Sequence, residues 1–133
     1  MSSKLKSESR AVKVALEHIE AWSNRNYERA RKSLSDNVHV TVMTTQPTMS
    51  PTDTAGIDEY MDGLIKFTQI VVPGSAEIIA SDGDEQNALI MVRVKATLGP
   101  NGSKVPLVGS RLYSLNEEGK IRAEQVVFCV LGN

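Results

Sequence analysis

Residues 104–131 read KVPLVGSRLYSLNEEGKIRAEQVVFCVL. β-Branched and aromatic residues fill two runs, Lys104–Leu115 and Lys120–Leu131, and Asn116-Glu117-Glu118-Gly119 between them has the chemistry of a turn. The pair predicts a long antiparallel hairpin. Upstream, Ala76–Ser81 and Ala88–Leu98 repeat the pattern, with Asp82-Gly83-Asp84 and Gly99-Pro100-Asn101-Gly102 as the intervening turns. The second half of the chain is therefore a meander of four strands.

The first half carries helical periodicity instead. From about Ser7 to Arg25, Val12, Ala15, Leu16, Ile19 and Trp22 recur three and four residues apart, while Lys13, Glu17, Glu20 and Asn24 fall opposite. Asn26 suits the cap of a short second helix, Tyr27 to Leu34. Ser35-Asp36-Asn37 reads as a turn and Val38–Met43 as a strand. Thr44 to Gly56 is rich in threonine and proline without periodicity, which predicts a loop long enough to form a lid or rim. A third helix follows from Ile57 to about Gln69, with Ile57, Tyr60, Met61, Leu64 and Phe67 on one side. Helices first and strands last predict one α+β domain over residues 1–133, its helices lying on one face of a curved antiparallel sheet.

Composition narrows the function classes. A chain of 133 residues with a formal net charge of −1 gives no compositional support for nucleic-acid binding. The apolar run Val126–Leu131 is far too short to cross a membrane, and Met1–Lys6 leads into a charged helix rather than an apolar leader. The single cysteine, Cys129, has no internal disulfide partner, which suits a reducing compartment, and a cytoplasmic location is expected. His18 and His39 have no metal-ligand spacing, and the dipole of the third helix accounts for Asp58, Glu59 and Asp62 at its start. No Gly-rich phosphate loop or nucleophile elbow is present. Neither a metal nor a cofactor is expected.

The order of elements, with Glu20-Ala21-Trp22, Asn26-Tyr27, Leu34-Ser35-Asp36-Asn37-Val38, Ala55-Gly56-Ile57, Glu118-Gly119-Lys120-Ile121 and Val126-Val127-Phe128, resembles the nuclear-transport-factor-like superfamily, in its SnoaL-like and ketosteroid-isomerase-like branch. The resemblance covers nearly the whole chain. It implies a cone-shaped, cystatin-like fold with a deep apolar pocket between sheet and helices, and a homodimer through the outer face of the sheet. The isomerases' tyrosine position falls on His18, their first aspartate on Val42 and their second on Arg111. Valine cannot shuttle a proton and arginine is permanently charged, so chemistry by that residue set is excluded. Phe128-Cys129 stands where many relatives read phenylalanine-aspartate.

A tight turn at Glu117-Glu118 places Arg111 opposite Glu124 on one face of the hairpin, close enough to pair. Turned into the cone, the pair anchors a carbonyl or carboxylate, and Glu124 can act as a general base. Turned outward, it fixes register. Val126, Phe128 and Val130 share parity with Glu124, but Val127 and Cys129 make a second apolar face, so periodicity leaves the inward face open and favours a dimer through the sheet. His18 lies about 100° from the centre of the helical stripe, which alone predicts a half-exposed side chain; the resemblance would aim it at the pocket. Arg111, Glu124 and His18 are the candidate catalytic groups. Trp22, Met43, Tyr60, Tyr113, Val126 and Phe128 are candidates to contact a small apolar or carbonyl-bearing ligand. The function expected is binding of such a molecule, with acid–base isomerisation, cyclisation or hydrolysis as its chemistry; the alternative is a non-catalytic carrier or a dimeric protein-interaction module.

Overall fold

The computed structural model of the protein describes residues 8–44, 51–98 and 100–130. Three helices, α1 (Arg10–Ser23), α2 (Tyr27–Lys32) and α3 (Ile57–Gln69), and six strands are formed among them. The strands are β1 (Leu34–Thr44), β2 (Thr52–Ala55), β3 (Glu77–Gly83), β4 (Asn87–Thr97), β5 (Lys104–Leu115) and β6 (Ile121–Val130). Local chemistry sets the helix starts. Ser9 Oγ accepts from the Val12 N–H at 3.3 Å to cap α1, and Asn26 Oδ1 accepts from the Arg29 N–H at 3.2 Å to cap α2.

The strands form one curved, open sheet in the order β2-β1-β6-β5-β4-β3. The meander β3–β6 is antiparallel as its turns predict, but β1 runs parallel to β6, so the sheet is mixed rather than wholly antiparallel. Helix α1 packs against β3, β4 and β5, and α3 against β1 and β2. The covered face buries Ala88, Ile90, Val92, Val94 and Ala96 of β4 with Leu107 and Tyr113 of β5. This is the α+β cone expected from the sequence.

Three local expectations are corrected. Asp82 and Gly83 are not turn residues: they lie within β3, paired with Leu89 and Ala88, and the chain turns after them, where the Asp84 N–H bonds Asn87 O at 2.8 Å. Ser35-Asp36-Asn37 is not a turn: it lies within β1, at an irregularity of register between Leu34 and His39, with Ser35 Oγ donating to Asn37 Oδ1 at 2.9 Å. The loop expected over Thr44 to Gly56 contains β2, whose Thr52 and Thr54 pair with Val42 and Val40; residues 45–50 of that segment lie outside the described residues. Gly56, at φ 99°, then turns the chain from strand to helix, and its N–H bonds Val38 O at 2.8 Å.

Candidate functional site

The β5–β6 turn runs from Asn116 to Lys120, where the Asn116 N–H bonds Lys120 O at 2.8 Å and Gly119 adopts φ 82°. A register shift between Ser114 and Leu115 accompanies this wider turn. Tyr113 therefore pairs with Glu124, and Arg111 pairs with Val126. Arg111 and Glu124 are diagonal neighbours on the covered face rather than directly opposed. They still meet: Arg111 Nη1 donates to Glu124 Oε2 at 2.9 Å, and both are buried, at 5% and 2% exposure.

Three aromatic rings surround the guanidinium. Its central carbon lies 4.9 Å from the Trp22 centroid, 5.2 Å from Phe128 and 5.6 Å from Phe67, so a buried cation is held by one carboxylate and three ring faces. The second carboxylate oxygen, Glu124 Oε1, accepts from the Tyr60 hydroxyl of α3. Tyr60 Oη in turn lies 2.9 Å from His18 Nε2, and His18 Nδ1 lies 2.8 Å from Ser33 Oγ and 3.1 Å from Ala30 O.

His18 is thus not a half-exposed flank of α1. It falls on the same row as Ala11, Ala15 and Trp22, and its exposure is 1%. Burial lowers its pKa to about 4, against a smaller upward pull from the Glu124 carboxylate, so the ring is neutral at pH 7. Burial also raises the pKa values of Tyr60 and Tyr113 well above the usual tyrosine range, with Glu124 adding to it, and both stay protonated. The Tyr113 hydroxyl lies close enough to Trp22 and Glu124 to feel both. Even so, among the described residues Tyr113 Oη, Trp22 Nε1 and Arg111 Nε are buried without a hydrogen bond of good geometry. Unpaired donors at this density are uncommon in a protein core.

Beside this cluster opens a cavity of about 500 Å³ between α3 and the covered face of β1, β2, β5 and β6. The volume lies within the range of small-molecule sites, roughly 300–1,000 Å³. Arg111, Glu124 and Tyr60 supply polar lining; Val40, Val42, Leu64, Phe67, Val126 and Phe128 supply apolar walls; Glu59, Lys66, Thr52 and Thr54 also contribute to the lining. Of the residues expected at a ligand, Tyr60, Val126 and Phe128 line the cavity, while Trp22 and Tyr113 are fully buried and absent from its lining. Met43 is corrected: it projects from the outer face of β1 at 58% exposure, because Val40 and Val42 take the inward parity. Among the described residues no group of His, Cys, Asp and Glu gathers to hold a metal ion, and no helix is long and apolar enough to cross a membrane.

Phe67 and Ser33 were not singled out as site residues from the sequence. Phe67 was visible in outline, since it follows Tyr60 and Leu64 at helical spacing; Ser33 carries no sequence signal. Gly109 matters for a related reason. A Cβ built on it meets two Phe128 ring carbons at 3.0 and 3.2 Å and Arg111 Nε at 3.5 Å. Gly109→Ala is expected to displace the ring and cost about 1–3 kcal/mol of stability, read by urea unfolding.

The SnoaL-like domain family matches residues 15–124. No curated protein sequence matches the chain. Among solved structures, a bacterial protein with a cystatin-like fold from Silicibacter pomeroyi superposes with a TM-score of 0.68 at 19% identity, covering 87% of this chain and 73% of that one. An LEH-like epoxide hydrolase from M. tuberculosis gives 0.67 at 14% identity, covering 90% and 83%. A steroid delta-isomerase from Pseudomonas aeruginosa gives 0.65 at 12% identity, covering 92% and 81%. At these identities the likenesses concern the fold, and the match over residues 15–124 is what assigns the family: this chain belongs to the SnoaL-like domain family.

Proposed function

We propose that the protein binds a small, largely apolar molecule carrying one oxygen function and transforms it by acid–base chemistry, as an isomerase, cyclase or hydrolase. One observation carries the reading: a buried Arg–Glu pair, linked to a neutral histidine through a tyrosine, lines an otherwise largely apolar cavity. A buried ion pair is weak evidence of stabilisation, so its placement at a cavity wall points to ligand chemistry. The epoxide hydrolase and the steroid isomerase of similar fold show that this architecture accommodates both hydrolysis and isomerisation.

In this account Glu124 is the general base. Tyr60 and Arg111 each occupy one lone pair of a different carboxylate oxygen, which leaves a second lone pair on each for a ligand proton. Arg111 supplies positive charge beside the ligand's oxygen, and His18 holds Tyr60 in place. Tyr60, Val126 and Phe128 contact the ligand, with Trp22 and Tyr113 behind Arg111 and Glu124. Turnover measured across neutral epoxides and unsaturated ketones tests this. Glu124→Gln is expected to lower kcat by roughly 10²–10⁴-fold while ligand affinity is kept; full activity in that variant ends the role of Glu124.

The same proposal includes a homodimer. Met91, Ser110, Val127 and Met43 are register partners running across four strands of the outer face, and Leu89 pairs with Leu112 beside them. Met43, Val127 and Leu89 are more than half exposed, so the outer face carries a largely apolar patch, interrupted by Ser110, that a second copy can cover through the same surface. Light scattering at micromolar protein is expected to give twice the chain mass, and Val127→Glu to halve it; a monomeric mass for the unaltered protein contradicts the dimer.

A further inference from the structure

A second depression, of about 250 Å³, lies between α1, α2 and the β5–β6 turn, with Glu17, His18 and Ser33 in its lining. It shares no lining residue with the cavity beside Glu124. One hydrogen-bonded chain joins the two. Ser33 Oγ is 2.8 Å from His18 Nδ1, His18 Nε2 is 2.9 Å from Tyr60 Oη, and the Tyr60 hydroxyl donates to Glu124 Oε1.

We propose that Glu124, Tyr60, His18 and Ser33 form a reversible proton relay from the cavity to the second depression, so that Glu124 exchanges protons with water while a ligand fills the cavity. The relay rests on the acid–base role of Glu124 given above. The chain has two complete arrangements. When Glu124 is ionised, Tyr60 donates to it, His18 Nε2–H donates to Tyr60 Oη, and the Ser33 hydroxyl donates to His18 Nδ1. When Glu124 is protonated on Oε1, it donates to Tyr60 Oη, Tyr60 turns its hydrogen to His18 Nε2, and the ring hydrogen sits on Nδ1. There Ser33 Oγ and Ala30 O accept it, and the Ser33 hydroxyl turns to Ala30 O at 2.9 Å. Every donor along the chain is satisfied in both arrangements.

Passing from the second arrangement to the first shifts each proton by one place. Glu124 gives its proton to Tyr60 Oη, Tyr60 gives its own to His18 Nε2, His18 Nδ1 gives its proton to Ser33 Oγ, and Ser33 releases one to water. Glu124 ends as a carboxylate and the water as hydronium, so charge and atoms balance. A purely structural cluster needs only one of the two arrangements. The neutral state of the buried ring gives the test its readout, because a neutral imidazole carries a single N–H whose position reports the direction of the chain.

The chain has two histidines, and His39→Gln assigns their signals in a ¹⁵N spectrum of histidine-labelled protein at pH 7. The unaltered protein is expected to carry the His18 hydrogen on Nε2. In Glu124→Gln, Arg111 can only donate and so claims the amide oxygen. The amide NH₂ then faces Tyr60 as protonated Glu124 would, and the His18 hydrogen is expected to move to Nδ1. A hydrogen that stays on the same nitrogen in the folded variant overturns the relay. Should that variant fail to fold, Tyr60→Phe removes the partner of Nε2 and is likewise expected to move the hydrogen to Nδ1; its retention on Nε2 overturns the relay. Ser33→Val removes the outlet hydroxyl without opening space for water and is expected to slow exchange of the His18 ring hydrogen with solvent, and an unchanged rate overturns the outlet. These measurements use the protein without substrate, so the relay can fail while turnover at Glu124 stands, and turnover can fail while the relay stands.

Discussion

Arg111→Met lowers stability by about 3–5 kcal/mol at neutral pH, because it leaves the Glu124 carboxylate buried without its cation. The hydrocarbon part of methionine replaces much of the packing against Trp22, Phe67 and Phe128, so the loss is mainly electrostatic. The double variant Arg111→Met/Glu124→Leu is therefore expected to recover most of the deficit in urea unfolding, since a buried pair replaced by apolar side chains is often neutral or better. Ligand affinity does not recover with it. If Arg111→Met alone costs less than about 1 kcal/mol, the pair behaves as a hydrated surface bridge and the site loses its electrostatic basis.

The second large effect is acid destabilisation through His18. Its pKa is about 4 in the folded protein and about 6.5 in an unfolded chain. The folded state thus holds the neutral ring, and between these values the unfolded chain binds more protons. Stability from this group is complete above pH 6.5, falls as pH drops through the window down to 4, and changes no further below it. The loss over that window is on the order of 3 kcal/mol. Unfolding free energies measured in steps from pH 7 to pH 4 should show this slope, and His18→Gln should remove it. A slope that persists unchanged in His18→Gln assigns it to other groups.

The helices and the meander were legible because their periodicities are strong. Ile57, Tyr60, Met61, Leu64 and Phe67 mark one side of α3, and turns bearing Asn101-Gly102 and Asn116–Gly119 punctuate β4 to β6, whereas Asp82 and Gly83 lie inside β3. What escaped was set by distant pairing. β2 is four residues of threonine, aspartate and alanine with no apolar alternation, and it is a strand because β1 supplies its hydrogen-bond partners. The parallel contact of β1 with β6 joins the two halves of the chain and leaves no local trace. The Arg111–Glu124 pairing was legible as a same-face pair, yet its direct opposition was wrong, since a register shift before a wider turn moves partners by two residues without changing face. Met43 shows the opposite case. It shares parity with His39 and Thr41 against Val38, Val40 and Val42, so the alternation itself puts it on the outer face. His18 was misplaced because the stripe drawn through Val12, Ala15, Leu16, Ile19 and Trp22 leaves out Ala11, which with Ala15 and Trp22 extends the buried side of α1 to it.

The central claim is a ligand cavity lined by Glu124 and Arg111. It is tested most directly by crystals soaked with small neutral ketones and epoxides. The account predicts density between α3 and β6, with the ligand's oxygen within hydrogen-bonding distance of Glu124 or Arg111. Ligands bound only elsewhere, with Phe67 and Phe128 closing the space beside Glu124, would contradict it.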